Sequence, residues 1–325
     1  MATNTTSAAG LSSQYQRYLS RQLLEKILPS IHLSKFALKK ALPGKQGSKT
    51  MRFFRFAEPS TANIQSVGTE GTTPSSSDKS MTLETVDADL VQYVQQIVIT
   101  DILSATELFN HTEEAIRQHG EDAALHCDNI IRNELASNTT GKNVVLSGNA
   151  ASFGALSGDE IDEQDILLAA TKLKQDGARP VDGVNFAASM PTEVAFSILN
   201  NTSGVWQGAA QYSAPENLYS GEIGRLFGVR VMETNKGFRS AVGTQYTYDG
   251  AGAAFSTFVF GKDAYGVPEL NSQSPFAPQV LIADGPDKSD PAALKKVISY
   301  KTFYTAKILQ PKHVCEIYST INSAV

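Results

Sequence analysis

Three residues on one predicted helix face could ligate a metal: His119, Asp122 and His126. A carboxylate or imidazole at i, i+3 or i+4 is the spacing that helix-borne metal sites use, with a closing ligand from elsewhere. No residue of the chain designates that closing ligand, so the pattern reads as the polar stripe of an amphipathic helix. Ser76-Ser77-Asp78-Lys79 has the S-x-x-K spacing with which a lysine activates a serine in acyl enzymes. It lies in a Ser/Thr/Gly tract without the companion S-D-N and K-T-G elements, and is read as a chance match. The acidic run Asp159, Glu160, Asp162, Glu163 and Asp165 reads as stabilisation of a helix N-terminus. Asp284, Asp287 and Asp290 lack the spacing of an EF-hand loop. No nucleophile elbow, H-E-x-x-H pair, Walker loop or dinucleotide-binding glycine fingerprint occurs. The two cysteines, Cys127 and Cys315, have no nearby partner and read as buried free thiols of a chain folded in a cytoplasmic compartment. The residues therefore predict neither an enzyme nor a cofactor.

What remains is charge and apolar surface. The net charge is −5, but residues 1–57 carry ten of the 28 Lys/Arg (Arg17, Arg21, Lys26, Lys35, Lys39, Lys40, Lys45, Lys49, Arg52, Arg55) and one acid, Glu25. The rest of the chain thus holds 18 bases against 32 of the 33 acids. A basic arm on an acidic body suits the acidic body of a neighbouring copy, or nucleic acid, or else is a solvated face. In Met51–Phe56, MRFFRF, aromatics interleave with bases. Exposed rings there would make a nucleic-acid platform, and buried ones an amphipathic strand laid over a neighbour; the second reading is favoured.

Several elements must position these residues. Apolar positions Tyr15, Tyr18, Leu19, Leu23, Leu24, Ile27 and Leu28 keep helical spacing until Pro29, and a second thin segment follows over Ile31–Leu42. So narrow a strip buries little alone and needs a surface to lie on. Residues 49–56 and 80–100 read as strands around the Gly/Pro/Ser/Thr tract Ala57–Lys79, which predicts a long hairpin with a flexible tip. Read as one strand, 80–100 would span about 70 Å, far beyond an ordinary strand. A helix opens at the capping-box spacing Ser104–Glu107 and runs to about Ser137, with Gly120 as a candidate bend. A further helix is predicted over Asp162–Gln175, a strand at GVNFAAS, a helix at MPTEVAFSILN with Pro191 in its first turn, and strands at Gly228–Thr234 and Ala253–Gly261. The C-terminal VISYKTFYTAKIL, QPKH and VCEIYST read as a strand, turn and strand of one β-hairpin. No apolar run approaches the roughly 18–20 residues that cross a bilayer, which predicts no membrane, and the N-terminus carries no signal-peptide pattern.

Three glycine-punctuated segments follow one another in fixed order. They are Gly221-Glu222-Ile223-Gly224 leading to Gly228-Val229-Arg230-Val231, then Gly261-Lys262-Asp263-Ala264-Tyr265-Gly266, then Asp290-Pro291 leading to Lys301 and Ala306-Lys307-Ile308-Leu309. In this order and spacing the chain resembles the major capsid proteins of tailed bacteriophages with the Hong Kong 97-type shell fold, nearest the branch of phage N-four. The resemblance implies an α+β fold in which residues 1–45 are an N-terminal arm and 46–90 an extended E-loop hairpin. Residues 91–155 and 286–325 would form a peripheral domain with a long spine helix at about 104–137, and 156–285 an axial α/β domain. It implies self-assembly into pentamers and hexamers of an icosahedral head that encloses double-stranded DNA, contacted weakly and non-specifically. Scaffolding, portal and decoration proteins are the further partners it implies, and the virion is the location. Arg17, Arg21, Lys35, Lys39, Lys40, Lys49, Arg52, Phe53, Arg55 and Phe56 are the candidate inter-subunit contacts. Lys45 and Lys49 lie near the loop that some relatives cross-link, without aligning to a cross-linking lysine. A cellular nanocompartment shell on the same fold, and an α/β enzyme built on residues 155–285, are the alternatives.

Overall fold

A computed structural model describes residues 32–42, 49–56, 64, 81–106, 111–137, 139–156, 159–200, 207–208, 222–234, 237–240, 254–270, 279–283 and 290–321. The basic segment with Arg17 and Arg21, Lys45, the tract 57–79 apart from Ile64, Ser76–Lys79, Asp284 and Asp287 lie outside these residues. A 3-10 turn at Leu33–Lys35 opens the described chain. The strands follow as β1 (Leu38–Leu42), β2 (Thr50–Phe56), β3 (Leu83–Asp89) and β4 (Val91–Thr100). Two helices come next, α1 (Asp101–Thr106) and α2 (His111–Ala136), then β5 (Asn143–Leu146), α3 (Glu163–Gln175), β6 (Phe186–Pro191) and α4 (Thr192–Asn200). The remainder is all strand: β7 (Gln207–Gly208), β8 (Glu222–Leu226), β9 (Val229–Thr234), β10 (Phe238–Ser240), β11 (Ala254–Phe260), β12 (Tyr265–Leu270), β13 (Gln279–Ala283), β14 (Lys295–Tyr304), β15 (Lys307–Ile308) and β16 (Val314–Ser319).

Four sheets result. The largest runs β5-β16-β11-β6-β9-β8-β7, with β10 beside β11; two shorter ones run β13-β14-β4 and β1-β12-β15; β2 and β3 pair alone. The large sheet is mixed, parallel at β5–β16 and β6–β9 and antiparallel elsewhere. Its β8–β9 hairpin turns through Phe227 and Gly228, both at positive φ (48° and 78°), the conformation that two-residue hairpin loops demand and that a glycine takes without strain.

The two large cores form where an amphipathic helix meets a sheet. On α2 the buried residues Ile116, Gly120, Ala123, Cys127, Ile131 and Leu135 recur every three to four positions. They pack with Ile99 of β4, Ile298, Tyr300 and Tyr304 of β14, and Phe258, Phe260 and Tyr265. α3 buries Ile166, Ala169, Ala170 and Leu173 against Phe186, Val231, Val259 and Ile317, with α4 adding Val194, Ala195 and Ile198. The start of α3 follows the sequence expectation: Asp162 caps it, Asp165 N–H donates to Asp162 Oδ1 at 2.9 Å, and Asp162 N–H donates to Asp165 Oδ2 at 3.1 Å.

Several expectations are corrected. Residues 38–42 are not helical: they join the edge of a sheet as β1, parallel to β12, a partner more than 220 positions away that no local period can reveal. The long strand 80–100 is two, because Leu90 separates β3, which pairs β2, from β4, which pairs β14. The helix expected over 104–137 is α1 and α2, with 107–110 outside the described residues and with Gly120 buried inside an uninterrupted helical run. Pro191 ends β6 and the helix begins at Thr192. The C-terminal hairpin does not form: β14 lies between β13 and β4, while β16 lies between β11 and β5 in another sheet. From Ile298 onward β14 alternates buried and partly exposed positions as a half-covered strand does, whereas every residue of β16 is buried.

Candidate functional site

The stripe of His119, Asp122 and His126 packs against strands of the body. His119 is buried where α2 crosses β4 and β14, with Nε2 3.1 Å from the Ile298 carbonyl and Nδ1 3.4 Å from Gln95 Oε1. Gln95 Nε2 donates to Asp122 Oδ2 at 2.8 Å, and the His126 ring stands edge-on to Tyr93 at 4.4 Å between centroids. Burial lowers both imidazole pKa values, so both rings are neutral at pH 7. Among the described residues no three His, Cys, Asp or Glu converge as metal ligands. Asp290 accepts the Lys295 N–H at 3.0 Å. No helix of the described residues is long and apolar enough to cross a membrane.

The charged and aromatic candidates gather on the β2–β3 hairpin and its footing. Alternation divides it into two faces. Met51 and Phe53 lie on the inner face with Ala88 and Val86 opposite them. Phe53 is 4% exposed and forms a small core with Met51, Ala88 and Leu309. Its ring presses on Gly266, where an added Cβ would sit 3.0 Å from both Phe53 and Leu309 Cδ1. Gly266 is thus required for close approach, which seats the hairpin on the β1-β12-β15 sheet.

The outer face carries Arg52, Phe54 and Phe56 across from Asp87, Thr85 and Leu83. Arg52 grips Asp87 with two hydrogen bonds of 2.7 and 2.9 Å, and Arg55 Nε donates to Glu84 at 2.6 Å. These two bases are therefore paired within their own hairpin, a cross-strand match invisible until the register is known. Lys40 Nζ donates to the Arg52 carbonyl at 3.0 Å and stands 5.0 Å from the centre of the Phe54 ring. Phe54 and Phe56 remain 56% and 65% exposed, with Leu83 beside Phe56. Between hairpin and body lies a cleft of about 720 Å³ whose walls include Phe54, Arg55, Phe56, Arg179, Lys262 and Lys312. Lys35, Lys39 and Lys49 are exposed.

Two polar anchors were not legible in the sequence. Asp128 Oδ2 accepts the His32 N–H at 3.0 Å, and the Tyr265 hydroxyl donates to the Leu33 carbonyl at 2.6 Å; together they fix where the chain enters the body. Burial raises the Asp128 carboxyl to about 6, against the opposing pull of the His32 and Leu33 amides. Lys142 and Glu316, 1% and 0% exposed, form an ion pair of 2.6 Å at the end of α2. Lys142 also donates to the Leu135 and Ser137 carbonyls at 3.0 and 2.8 Å, closing the helix C-terminus. A lone Glu in an apolar strand, VCEIYS, was the available signal.

A two-stranded hairpin with apolar rings left in solvent is set on a mixed α+β body with one long helix, and the chain has the Hong Kong 97-type fold of phage capsid proteins. Among solved structures it is similar to the capsid of Ralstonia phage GP4, with a TM-score of 0.67 at 12% identity over 89% of this chain and 88% of that one. The capsid of cyanophage Pam1 gives 0.62 at 11% identity over 92% of each chain. A virus-like particle from Pyrococcus furiosus gives 0.54 at 11% over 93% of this chain and 99% of that one. No family model matches the chain, and no curated protein matches it.

Proposed function

We propose that this chain is the major capsid protein of a tailed bacteriophage, of the N-four branch, which assembles with copies of itself into an icosahedral head around double-stranded DNA. The observation that carries the reading is the hairpin: its inner face is anchored by Phe53, while Phe54, Phe56 and Leu83 are left on the outside, where an isolated chain gains nothing from them. A neighbouring copy that covers these rings stabilises both partners, and repetition of one such contact around closed symmetry builds a shell. In this reading residues 1–45 are the arm, 46–90 the E-loop, 91–155 with 286–325 the peripheral domain and α2 its spine, and 156–285 the axial domain. The large sheet takes β5 and β16 from outside the interval 156–285, so the two domains share strands across those boundaries. Lys35, Lys39 and Lys49, with Arg17 and Arg21, face the acidic body of a neighbour, while Lys40 is held by the Arg52 carbonyl and the Phe54 ring of its own hairpin. Arg52, Arg55 and Phe53 act one step back, by holding the hairpin in shape. The work is done by surfaces, with no catalytic centre and no cofactor, in the virion; scaffolding, portal and decoration proteins are its further partners.

Electron microscopy of the purified protein, at low and raised concentration, tests this. Closed shells or rings of five and six are expected. Compact monomers under all conditions, including with a co-expressed scaffold, would refute it. The likeness to the Pyrococcus virus-like particle supports one second reading, a nanocompartment shell. Nucleic acid inside native particles fits the phage head, and protein cargo fits the compartment.

A further inference from the structure

We infer that β4 is a second assembly surface, on which two copies of this chain pair edge to edge, antiparallel, about a two-fold axis through Gln96. The inference rests on the assembly reading above and names a contact that the hairpin does not make. β4 is the terminal strand of its sheet, bonded to β14 along one side over ten consecutive residue pairs without a bulge. Among the described residues no strand pairs with its other side. Every second residue of an edge strand points its N–H and C=O outward, which is a template for another strand.

Proteins that must stay apart protect such edges with lysine, proline or a bulge. The sequence of β4, VQYVQQIVIT, contains no charge, no proline and no glycine. By contrast β1 carries Lys39 and Lys40 in LKKAL, and β2 carries Arg52 and Arg55. Ten residues, about 33 Å of edge at roughly 3.3 Å each, are left unguarded; the other uncharged terminal strands among the described residues with neither glycine nor proline, β5 (NVVL) and β13 (QVLIA), offer only four and five residues.

The occupant is specified by the strand itself. Centring the axis on Gln96 sets Gln96 against Gln96, Val94 against Val98, and Gln92 against Thr100 on the outer face. Polar meets polar and apolar meets apolar, and Val94 and Val98, 56% and 53% exposed, cover each other twice. On the inner face Tyr93 meets Ile99, which continues the apolar layer beneath α2 into the second copy, while Gln95 meets Ile97 with its amide already bonded to Asp122 of its own chain. Moving the axis by one residue to Gln95 pairs Tyr93 with Ile97 on the inner face but sets Gln92 against Val98 and Gln96 against Val94 on the outer face, where the exposed valines have no other cover among the described residues. A neutral strand also repels no copy of itself, unlike the charged edge of β1.

Cysteine cross-linking reads the register directly, because residues opposite each other in an antiparallel pair lie within disulfide reach. Gln96→Cys is expected to give a covalent dimer in assembled particles under mild oxidation. Gln92→Cys alone is expected to give none, since its copies would lie roughly 26 Å apart at about 3.3 Å per residue, and Gln92→Cys with Thr100→Cys is expected to restore the dimer. As a test that needs no cross-link, Gln96→Lys and Gln96→Glu should each lower the yield of particles severalfold, and co-expression of the two should recover it. Particles that form normally while Gln96→Cys gives no covalent dimer, or while Gln92→Cys alone gives one in equal yield, overturn the inference and leave the capsid reading standing; the edge is then covered by residues 1–31 or by a neighbour's hairpin. Failure of the unaltered chain to form any multimer overturns the capsid reading itself.

Discussion

Replacing Lys142 with methionine tests the interior of the fold most sharply. The side chain makes three hydrogen bonds, to Leu135 O, Ser137 O and Glu316 Oε2, in a site that water does not reach. Methionine fills nearly the same volume, so no cavity term enters. What is lost is the compensation of a buried carboxylate and the closure of a helix end. Removal of one partner from a buried pair costs about 3–5 kcal/mol. Urea unfolding at pH 7 is the assay, with Lys142→Met/Glu316→Gln as the second arm, which leaves no buried charge and is expected to recover most of the loss. The pH dependence adds an independent check. Burial raises the Glu316 carboxyl pKa, while Lys142 lowers it by its charge and its hydrogen bond. Without the lysine the upward push is unopposed, so the native variant retains a proton that the unfolded chain releases. The native state then binds more protons than the unfolded state, and stability rises as pH falls. The deficit of Lys142→Met therefore shrinks from pH 8 towards pH 5, by up to about 1.4 kcal/mol per unit. A loss below about 1 kcal/mol, or a deficit that ignores pH, would show that the pair does not hold the α2 terminus to β16.

Gly266→Val drives two methyl groups into Phe53 and Leu309, and should cost about 1–3 kcal/mol while raising hydrogen exchange selectively in β2 and β3; unchanged exchange there would mean the hairpin is seated otherwise. Asp128, raised to about 6 by burial against an ordinary value of 3.8, leaves the native chain with the extra proton between those values. Stability should rise by up to about 3 kcal/mol as pH falls from 7 to 4, a slope absent from Asp128→Asn, which still accepts the His32 amide. Burial pushes both thiols up, Cys315 to about 12, so neither should react with a thiol reagent until the chain is denatured. Phe54→Ser with Phe56→Ser should leave the melting temperature unchanged and abolish particles, as judged by light scattering; a large drop in melting temperature would instead assign these rings to the chain's own core.

Much of the fold was written locally. The capped start of α3 at Asp162, the buried stripe of α2, the strands around Ala187, Val231 and Phe258, and the hairpin spanning residues 49–89 all followed from periods of 3.6 and 2. The resemblance and the fold it implied came separately, from the order of the glycine-marked segments. Periodicity says that a strand exists and which face is wet. It says nothing of which strand lies beside it, since pairing is decided by the packing of residues far apart in the chain. Hence β14 and β16, adjacent in sequence and joined by a plausible turn, went to different sheets, and β1 went to β12. The same reason hid the fate of the charges. Arg52 and Arg55 read as free bases seeking a neighbour until the register set Asp87 and Glu84 opposite them, and nothing along the chain tied Lys142 to Glu316, which β16 brings to the end of α2. Charge and hydrophobicity belong to a residue and can be read along the chain; burial and partnership belong to pairs, and only the folded chain brings the pairs together.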